Sequence, residues 1–231
     1  MSAPGFSHVE TWIFDLDNTL YPASCRLFDQ IDVRMGEFIA NLFQVDKVEA
    51  RRIQKDFFYK YGTTLRGLME EHKIEPDAFL DYVHDIDHSP VPSNAQLVEN
   101  LAALPGRKLV FTNGTVKHAT AVMRHIGITH LFDDIFDIVH SDFIPKPERK
   151  PYEKFIARHN VDAGRAAMFE DIARNLEVPH TLGMTTVLVR DDQNDDGAMI
   201  NRIHGDGEGA AYVHHSTNDL AGFLADILQH D

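Results

Sequence analysis

Cysteine is almost absent from this chain of 231 residues, which contains only Cys25. One cysteine cannot form an internal disulfide bond, so the sequence excludes the class of disulfide-stapled secreted proteins. The first ten residues, MSAPGFSHVE, lack both the basic and the apolar segment of a signal peptide. We therefore expect a cytoplasmic protein.

Long hydrophobic runs and an excess of positive charge are also missing. No window approaches the roughly 18 apolar residues that a membrane-spanning helix needs. The chain has 22 Lys and Arg against 36 Asp and Glu, a formal net charge of −14. Such a chain repels nucleic-acid polymers and anionic membrane surfaces, so we expect neither as a partner. A small phosphorylated substrate is still compatible, because a bound metal ion can override the overall charge locally.

The sequence shows no internal repeat and no low-complexity tract, and its most biased stretch is RDDQNDDG at 190–197. Asp192, Asn194, Asp196 and Gly197 match the opening of an EF-hand calcium loop. The twelfth position of that loop, which requires a bidentate glutamate, is Ile203. We therefore interpret the stretch as a solvated acidic loop.

Short apolar runs alternate with helical patterns over most of the chain. Strands are predicted at 11–17, 108–113, 135–141, 166–171 and 185–190. Helices are predicted between the later strands, at 115–126, 151–160 and 172–180. This alternation predicts an α/β fold, a doubly wound parallel sheet with helices on both faces.

One interval, from about 23 to 103, contains no convincing strand. Helical patterns there cover 28–42, 46–60, 64–72, 76–86 and 93–103. Since 93–103 is typical of a core helix that leads into the second strand, residues 21–92 are too long for an ordinary connection. We expect 1–20 and 93–231 to form the core, and 21–92 to form a small helical domain, the helical insert.

Polar residues follow four of the five predicted strands: Asp15 and Asp17 after the first, Thr112 and Asn113 after the second, the basic stretch PKPERKPY (145–152) after the third, and Glu170 and Asp171 after the fourth. Ligands of an open parallel sheet bind at the carboxyl ends of its strands, so these side chains are expected at one edge. A single Asp-x-Asp is more often loop polarity, but all four features in this order are much less expected by chance. Clustered carboxylates require a hard cation, and a set of oxygen ligands favours Mg²⁺.

The same residue types suit phosphoryl transfer. A carboxylate can attack a phosphoryl group and form an aspartyl-phosphate, and a second carboxyl group can transfer the protons. The reaction otherwise requires mainly positioning and charge neutralisation. A metal ion, a lysine and a hydroxyl group would supply both, and the basic stretch PKPERKPY at 145–152 offers the lysine.

This set of motifs resembles the haloacid dehalogenase superfamily of phosphohydrolases, with DLDNT at 15–19 and ED at 170–171 among its marks. The resemblance implies that Asp15 is the nucleophile, that Asp17 is the acid/base, and that Thr112 and a lysine hold the phosphate. It also implies an Mg²⁺ site formed by Asp15, Asp171 and the backbone carbonyl of Asp17, with Glu170 close by. The helical insert falls where this superfamily commonly carries a cap domain.

Two lysines, Lys146 and Lys150, can be matched to the superfamily's lysine, since a proline follows each of them. Members of the superfamily typically have an aromatic residue six positions after this lysine. Tyr152 stands at that distance from Lys146, whereas Ile156 stands there for Lys150. We favour Lys146 and interpret Lys150 as a solvated residue at a helix start.

The finer resemblance is to the pyrimidine 5′-nucleotidase branch, through FDLDNTLYP (14–22), YGTTLRGL (61–68), FTNGT (111–115), PKPERKPY and FEDIARNL (169–176). It implies a phosphatase for nucleoside 5′-monophosphates. Phosphatases for other small phosphometabolites, such as sugar phosphates, and an inactive interaction module are alternatives. A haloacid dehalogenase lacks the second aspartate of the motif, so Asp17 argues against dehalogenation.

The stretch YGTTLRGL is the least helix-like part of the helical insert and is our candidate for reading the substrate, together with Asn113. Tyr61 offers an aromatic face, Thr63 and Thr64 offer hydroxyl groups, and Arg66 offers a fork of donors. The alternative is a plain helix N-cap in which one of the two threonines caps the helix. The fourteen histidines show no metal-ligand spacing and are predicted to be structural or exposed.

Overall fold

A computed structural model describes residues 5–190 and 209–230 of the chain. Its centre is a parallel sheet of six strands in the order β3-β2-β1-β4-β5-β6. The strands are β1 Thr11–Phe14, β2 Arg107–Phe111, β3 Asp134–Phe136, β4 Ala166–Glu170, β5 Thr185–Val189 and β6 His215–Thr217. The predicted doubly wound α/β fold is confirmed.

Helices occupy the connections. They are α1 Leu27–Phe43, α2 Lys47–Tyr61, α3 Thr64–His72, α4 Pro76–Val83, α5 Ala95–Ala103, α6 Val116–Ile126, α7 Arg149–His159, α8 Glu177–Thr181 and α9 Leu220–His230. Among the described residues, no helix is both long and apolar enough to cross a membrane. The acidic stretch that resembles an EF-hand opening lies outside the described residues, so its interpretation stays a prediction.

The central strand β1 is apolar and buried along its whole length, as a strand covered on both faces requires. It pairs with β2 on one side and with β4 on the other. The backbone amide of Asp15 continues this pairing beyond the strand and donates to the carbonyl of Phe169 at 2.9 Å. The carboxyl ends of β1 and β4 are thereby fixed side by side.

Apolar side chains fill both faces of the sheet. On one face, Phe14 stacks on Phe169 with ring centroids 4.7 Å apart, under α5, α6 and α9. On the other face, Phe111 stacks on Phe155 of α7 at 4.9 Å. These two layers hold the strand ends in a rigid edge, which is the requirement for placing reactive groups accurately.

The helices α1 to α4 pack around an apolar cluster of their own, which includes Ile39, Phe57, Leu68 and Phe79. Helix α2 begins at Asp46, whose carboxylate accepts from the amides of Val48 and Glu49, and ends at Gly62 with a φ of 83°. That left-handed backbone is one that glycine adopts without strain. Ile138 and Phe143, from the loop after β3, also join this cluster.

Helix α6 begins at the same sheet edge because two side chains cap its first turn. The hydroxyl of Thr115 accepts from the amide of His118 at 3.2 Å, and the carboxylate of Asp137 accepts from the amide of Val116 at 2.8 Å. Capping satisfies amides that have no partner inside the helix. Asp137 also ends the third strand, since it accepts from the amides of His140 and Ser141 in a turn. The strand predicted at 135–141 is therefore short.

Candidate active site

Three carboxyl groups meet at the carboxyl ends of β1 and β4. One carboxylate oxygen each from Asp15, Glu170 and Asp171 lies within 4.8 Å of the other two. Asp15 and Glu170 are buried, with 5% and 1% of their surface exposed. The side chains that were predicted to lie together from these two strand ends do so. The carboxylate of Asp17 does not belong to this group.

Lys146 supplies the positive charge of the cluster. Its ammonium donates to Asp15 Oδ1 at 2.7 Å, to Glu170 Oε2 at 2.5 Å and to the carbonyl of Phe111 at 3.0 Å. Only 2% of this residue is exposed. Lys150, the other lysine considered from the sequence, is an exposed residue in the first turn of α7.

Asn113 aligns the backbone around this lysine. Its side-chain oxygen accepts from the amide of Lys146 at 2.9 Å, and its side-chain nitrogen lies 3.4 Å from the carbonyl of Lys146. The amide group of Asn113 therefore faces the backbone of Lys146. The residue that was predicted to bind substrate thus holds the lysine segment against the end of β2.

The electrostatics of the three carboxyl groups indicate a shortage of positive charge. Burial, and then the charge of Glu170, raises the pKa of Asp15 above its ordinary value, against the lowering effect of Lys146. Burial, followed by the charges of Glu170 and Asp15, raises the pKa of Asp171 well above its ordinary value. One ammonium faces three carboxyl groups, all with oxygen donors, and this donor set fits a hard divalent cation.

Asp17 points to a different set of partners. Its Oδ1 accepts from the hydroxyl of Tyr21 at 2.5 Å and lies 2.9 Å from Nε2 of His118. Burial alone would raise the pKa of Asp17, but the charge of His118 and the hydrogen bonds from His118 and Tyr21 lower it below the ordinary value. Asp17 thus has hydrogen-bond partners of its own, which suits a different chemical role, and its charge also contributes to the raised pKa of Asp15.

A tight loop after β2 brings Thr112 close to Asp17. The buried Thr112 hydroxyl accepts from the amide of Gly114 at 2.9 Å. A methyl group on Gly114 would lie 3.3 Å from Thr112 Oγ1 and 3.6 Å from Asp17 Oδ2. Glycine at this position therefore allows the loop to bring Thr112 Oγ1 and the second oxygen of Asp17 close together.

Sequence reasoning missed the histidines beside Asp17. His118 is buried, and the ring of His84 stacks on it with centroids 4.6 Å apart and an interplanar angle of 12°. Burial, and then the charge of His118, lowers the pKa of His84 to about 3. The available signal was position: His118 stands in the first turn of the helix that follows FTNGT. Without the fold, nothing in the spacing relates it to Asp17.

The predicted substrate-reading turn has its polar groups engaged within the helical insert. The hydroxyl of Tyr61 donates to Glu71 at 2.6 Å, and Arg66 Nε donates to Glu70 at 2.9 Å. Thr63 is the N-cap of α3, as the alternative interpretation proposed, and it accepts from the amide of Arg66 at 3.1 Å.

Thr64 is buried, and its hydroxyl donates to the carbonyl of Gln54 at 3.2 Å. The turn nevertheless approaches the core: a methyl group on Gly62 would lie 3.5 Å from Cγ of Pro145, the residue before Lys146. The structure thus places the turn beside the lysine segment and turns the Thr64 hydroxyl inward.

Comparison with known sequences gives a consistent result. A family of hydrolases described as haloacid dehalogenase-like hydrolase matches residues 9–180. Phosphate metabolism protein 8 of Saccharomyces cerevisiae is 28% identical over 219 residues, which cover 84% of this chain. The match spans 66% of the yeast protein, so the chain corresponds to slightly less than two thirds of that relative's length.

Solved structures share the fold. A haloacid dehalogenase-type phosphatase from Thermococcus onnurineus matches 96% of this chain and 99% of its own, with a TM-score of 0.64 and 16% identity. The hydrolase YfnB from Bacillus subtilis, bound to magnesium, matches 95% of this chain and 98% of its own at a TM-score of 0.60 and 14% identity. L-2-haloacid dehalogenase from Xanthobacter autotrophicus matches 96% of this chain and 100% of its own, with a TM-score of 0.59 and 12% identity.

Proposed function

The chain belongs to the haloacid dehalogenase-like hydrolases, and we propose that it is a metal-dependent phosphomonoester hydrolase that acts through phosphorylation of Asp15. One observation carries the proposal. The Asp15 carboxylate is buried at a strand end, accepts a hydrogen bond from the ammonium of Lys146 at 2.7 Å and lies beside Glu170 and Asp171. A carboxylate held in this way is an oriented nucleophile next to a cation that can neutralise a phosphoryl group.

The metal that fits this set of donors is Mg²⁺. We propose that Asp15, Asp171 and the backbone carbonyl of Asp17 hold it, with Glu170 close by, because all of these donors are oxygens. When bound, Mg²⁺ neutralises charge on the carboxylates and on the phosphoryl oxygens. The raised pKa values of Asp15 and Asp171 support the proposal, since they indicate a site that lacks positive charge.

The first chemical step follows from the roles of the aspartates. An Asp15 oxygen attacks phosphorus, the bond between phosphorus and the ester oxygen breaks, and Asp17 delivers a proton to that departing oxygen. Lys146 neutralises the phosphoryl group during transfer. The Thr112 hydroxyl and neighbouring backbone amides hold the phosphoryl oxygens. An alcohol leaves and Asp15 carries the phosphoryl group.

The second step returns the enzyme to its starting state. Asp17, now ionised, removes a proton from water, and the water oxygen attacks phosphorus of the aspartyl-phosphate. The bond between phosphorus and Asp15 breaks, which releases inorganic phosphate.

We further propose that the substrate is a nucleoside 5′-monophosphate, as in the pyrimidine 5′-nucleotidase branch, and that residues 21–92 act as the cap that selects it. The core site holds phosphate and metal, so the leaving group must be recognised by whatever lies over that site. The approach of Gly62 to Pro145 supports the turn at 61–66 as part of this surface. We propose Tyr61, Thr63 and Arg66 as its substrate-reading residues. The hydroxyl of Thr64 bonds inward to Gln54 and the side chain of Asn113 holds the Lys146 segment, so we propose that these two residues support the surface without reading the substrate.

A screen of phosphomonoesters with Mg²⁺ tests both levels of the proposal. Turnover should disappear with a chelator, return with Mg²⁺, and be absent from Asp15→Asn under either condition. Full activity in excess chelator would refute the mechanism, and no turnover of any ester would favour an interaction module. A higher kcat/KM for UMP and CMP than for sugar phosphates is expected, and the opposite order would refute the nucleotide assignment alone.

A further inference from the structure

The acid/base carboxylate is fixed through one of its two oxygens. Asp17 Oδ1 accepts from the hydroxyl of Tyr21 and contacts Nε2 of His118, whereas Oδ2 lies on the side of Gly114, where a methyl group would be 3.6 Å from Oδ2 and 3.3 Å from Thr112 Oγ1. Within the described chain, no residue bonds to Oδ2. The carboxyl group therefore has one anchored oxygen and one oxygen directed towards the place where a phosphoryl group would be held.

Among the described residues, His118 forms no ring hydrogen bond other than the one to Asp17. Only 1% of the residue is exposed, and its Nδ1 is buried without a hydrogen-bond partner in the described part of the chain. With Asp17 ionised, Nε2 must carry the proton and donate it to Oδ1. An apolar ring would fill the same space without leaving a buried nitrogen unpaired, so packing alone gives no reason for a histidine here.

The helical insert reaches this histidine directly. His84, the residue that follows α4, lays its ring on that of His118, and its Nδ1 lies 3.4 Å from the hydroxyl of Thr115. The ring of His88, which also belongs to the segment after α4, lies near the ring of His118, with centroids 5.9 Å apart. Two rings from the insert thus cover the imidazole that contacts Asp17.

We propose that His118 is a positioning residue for Asp17 and that His84 of the helical insert keeps the His118 imidazole in place by stacking on it. The proposal rests on the proposed function, because it assigns a partner to the acid/base of that reaction. It gives the insert a role beyond substrate selection: the insert contributes to the orientation of the proton-transferring group.

The chemical consequence depends on the leaving group. General acid–base catalysis by an oriented group contributes about 10²–10⁴-fold, and loss of orientation removes a large part of it. An ester whose leaving oxygen is strongly basic needs the proton from Asp17 in the transition state. An ester such as 2,4-dinitrophenyl phosphate has a stable leaving anion and needs no proton.

The experiment compares phenyl phosphate with 2,4-dinitrophenyl phosphate in single-turnover formation of the phosphoenzyme, for wild type and variants of the full chain with Mg²⁺. His118→Phe should slow transfer from phenyl phosphate about 10²-fold, with little change for the dinitrophenyl ester. His118→Gln should recover much of the loss because its side-chain nitrogen can take the place of Nε2. His118→Asn, which offers a donor near the place of Nδ1, should not.

The stacking partner is tested in the same assay. His84→Ala should produce a smaller loss with the same dependence on the leaving group, and His84→Phe, which keeps a flat ring, should lose less than His84→Ala. His130→Gln, an exposed histidine in the turn after α6, is the control that should not change either rate. Thermal unfolding of each variant verifies that it is folded.

Equal losses on the two esters in His118→Phe would overturn the proposal, because they would show a general structural role. Should that variant fail to fold, the same activity in His118→Gln and His118→Asn would overturn it. If wild type forms no phosphoenzyme with either ester, the proposed function itself fails. If wild type forms the phosphoenzyme but the rates of the His118 variants do not depend on the leaving group, only the positioning role is refuted.

Discussion

Lys146 donates to the carboxylate of Asp15 at 2.7 Å, across 131 residues of sequence. Burial alone would lower the pKa of Lys146, but the charges of Asp15 and Glu170 raise it above its ordinary value. The ammonium therefore stays charged in the interior of the protein. The lysine and the two carboxylates stabilise the protein only when all three are present. Removal of one partner leaves a buried charge unpaired.

The first prediction concerns this lysine. Lys146→Ala should lower kcat/KM about 10²–10³-fold, because it removes the cation that faces the transferring group. It should also reduce the free energy of unfolding of the metal-free protein by about 3–5 kcal/mol, as expected when a buried ion pair is broken. Steady-state kinetics and urea unfolding measure the two effects.

Lys150→Ala is the matched control for this prediction, since Lys150 is exposed four residues further along the chain. It should change neither kcat/KM nor the free energy of unfolding substantially. A larger kinetic loss in Lys150→Ala than in Lys146→Ala would show that the wrong lysine has been assigned to the phosphate.

The second prediction concerns metal binding to the three carboxyl groups. Mg²⁺ should raise the unfolding temperature of the chelator-treated protein, because it binds the native cluster and not the unfolded chain. At a concentration one hundred times Kd the stabilisation is about 2.7 kcal/mol. Asp171→Asn should reduce this stabilisation, while Asp226→Asn, an exposed position in α9, should retain it. Equal stabilisation of both variants would place the metal elsewhere.

The third prediction concerns the pH dependence of stability near His84. Burial lowers the pKa of His84 to about 3 from an ordinary value of 6.5, so the neutral ring stabilises the fold above pH 6.5. As the pH falls below that value, the unfolded chain takes up the proton first. The contribution to the free energy of unfolding then declines by up to about 1.4 kcal/mol per pH unit.

The measurement for His84 is the difference in unfolding free energy between wild type and His84→Phe from about pH 8 to about pH 5. The groups that act on His84 electrostatically, His118, Asp17 and Lys117, are present in both proteins and largely cancel in the difference. The wild type should lose stability relative to the variant as the pH falls. A difference that does not change with pH would contradict the half-buried, neutral state of His84.

The fourth prediction separates the two roles of the turn at 61–66. Thr64→Val removes the hydroxyl that donates to the Gln54 carbonyl, so it should cost about 0.5–1.5 kcal/mol of stability and lower activity equally on UMP and p-nitrophenyl phosphate. Arg66→Ala should lower kcat/KM selectively for UMP. Arg52→Ala, an exposed arginine of the same helical insert, is its control. An equal loss on both esters in Arg66→Ala would limit Arg66 to a structural role.

Much of this site could be predicted because its parts follow strands that the sequence marks clearly. Apolar runs before Asp15 and Glu170 predict buried neighbours in a parallel sheet, and the sheet's own geometry then brings their ends together. Lys146 was preferred over Lys150 from the spacing to Tyr152, which is buried and donates to the carbonyl of Asn175. The position of the two strand ends needs only local pattern and topology, whereas the choice of lysine also used the spacing that is typical of the superfamily.

The surroundings of Asp17 could not be predicted in this way. The contact between His118 and Asp17 joins residues 101 positions apart, and the stacking of His84 requires the position of the helical insert over the core. The alternation of side chains along a strand predicted that Asp15 and Asp17 face one site. However, β1 ends at Phe14 and the chain then turns, so this alternation does not extend to Asp17. The last strand, His215–Thr217, was also missed, because three partly buried residues give no readable periodicity.

Detection of phosphoryl transfer to Asp15 tests the central claim most directly. Asp17→Asn lacks the base for the second step, so the phosphoenzyme should accumulate when this variant is mixed with 2,4-dinitrophenyl phosphate and Mg²⁺ and quenched in acid. Mass spectrometry should then find one added phosphoryl group on the peptide that contains Asp15, and none in Asp15→Asn. Turnover of the ester by wild type, with no phosphoryl group on Asp15 in the trapped variant, would contradict the account.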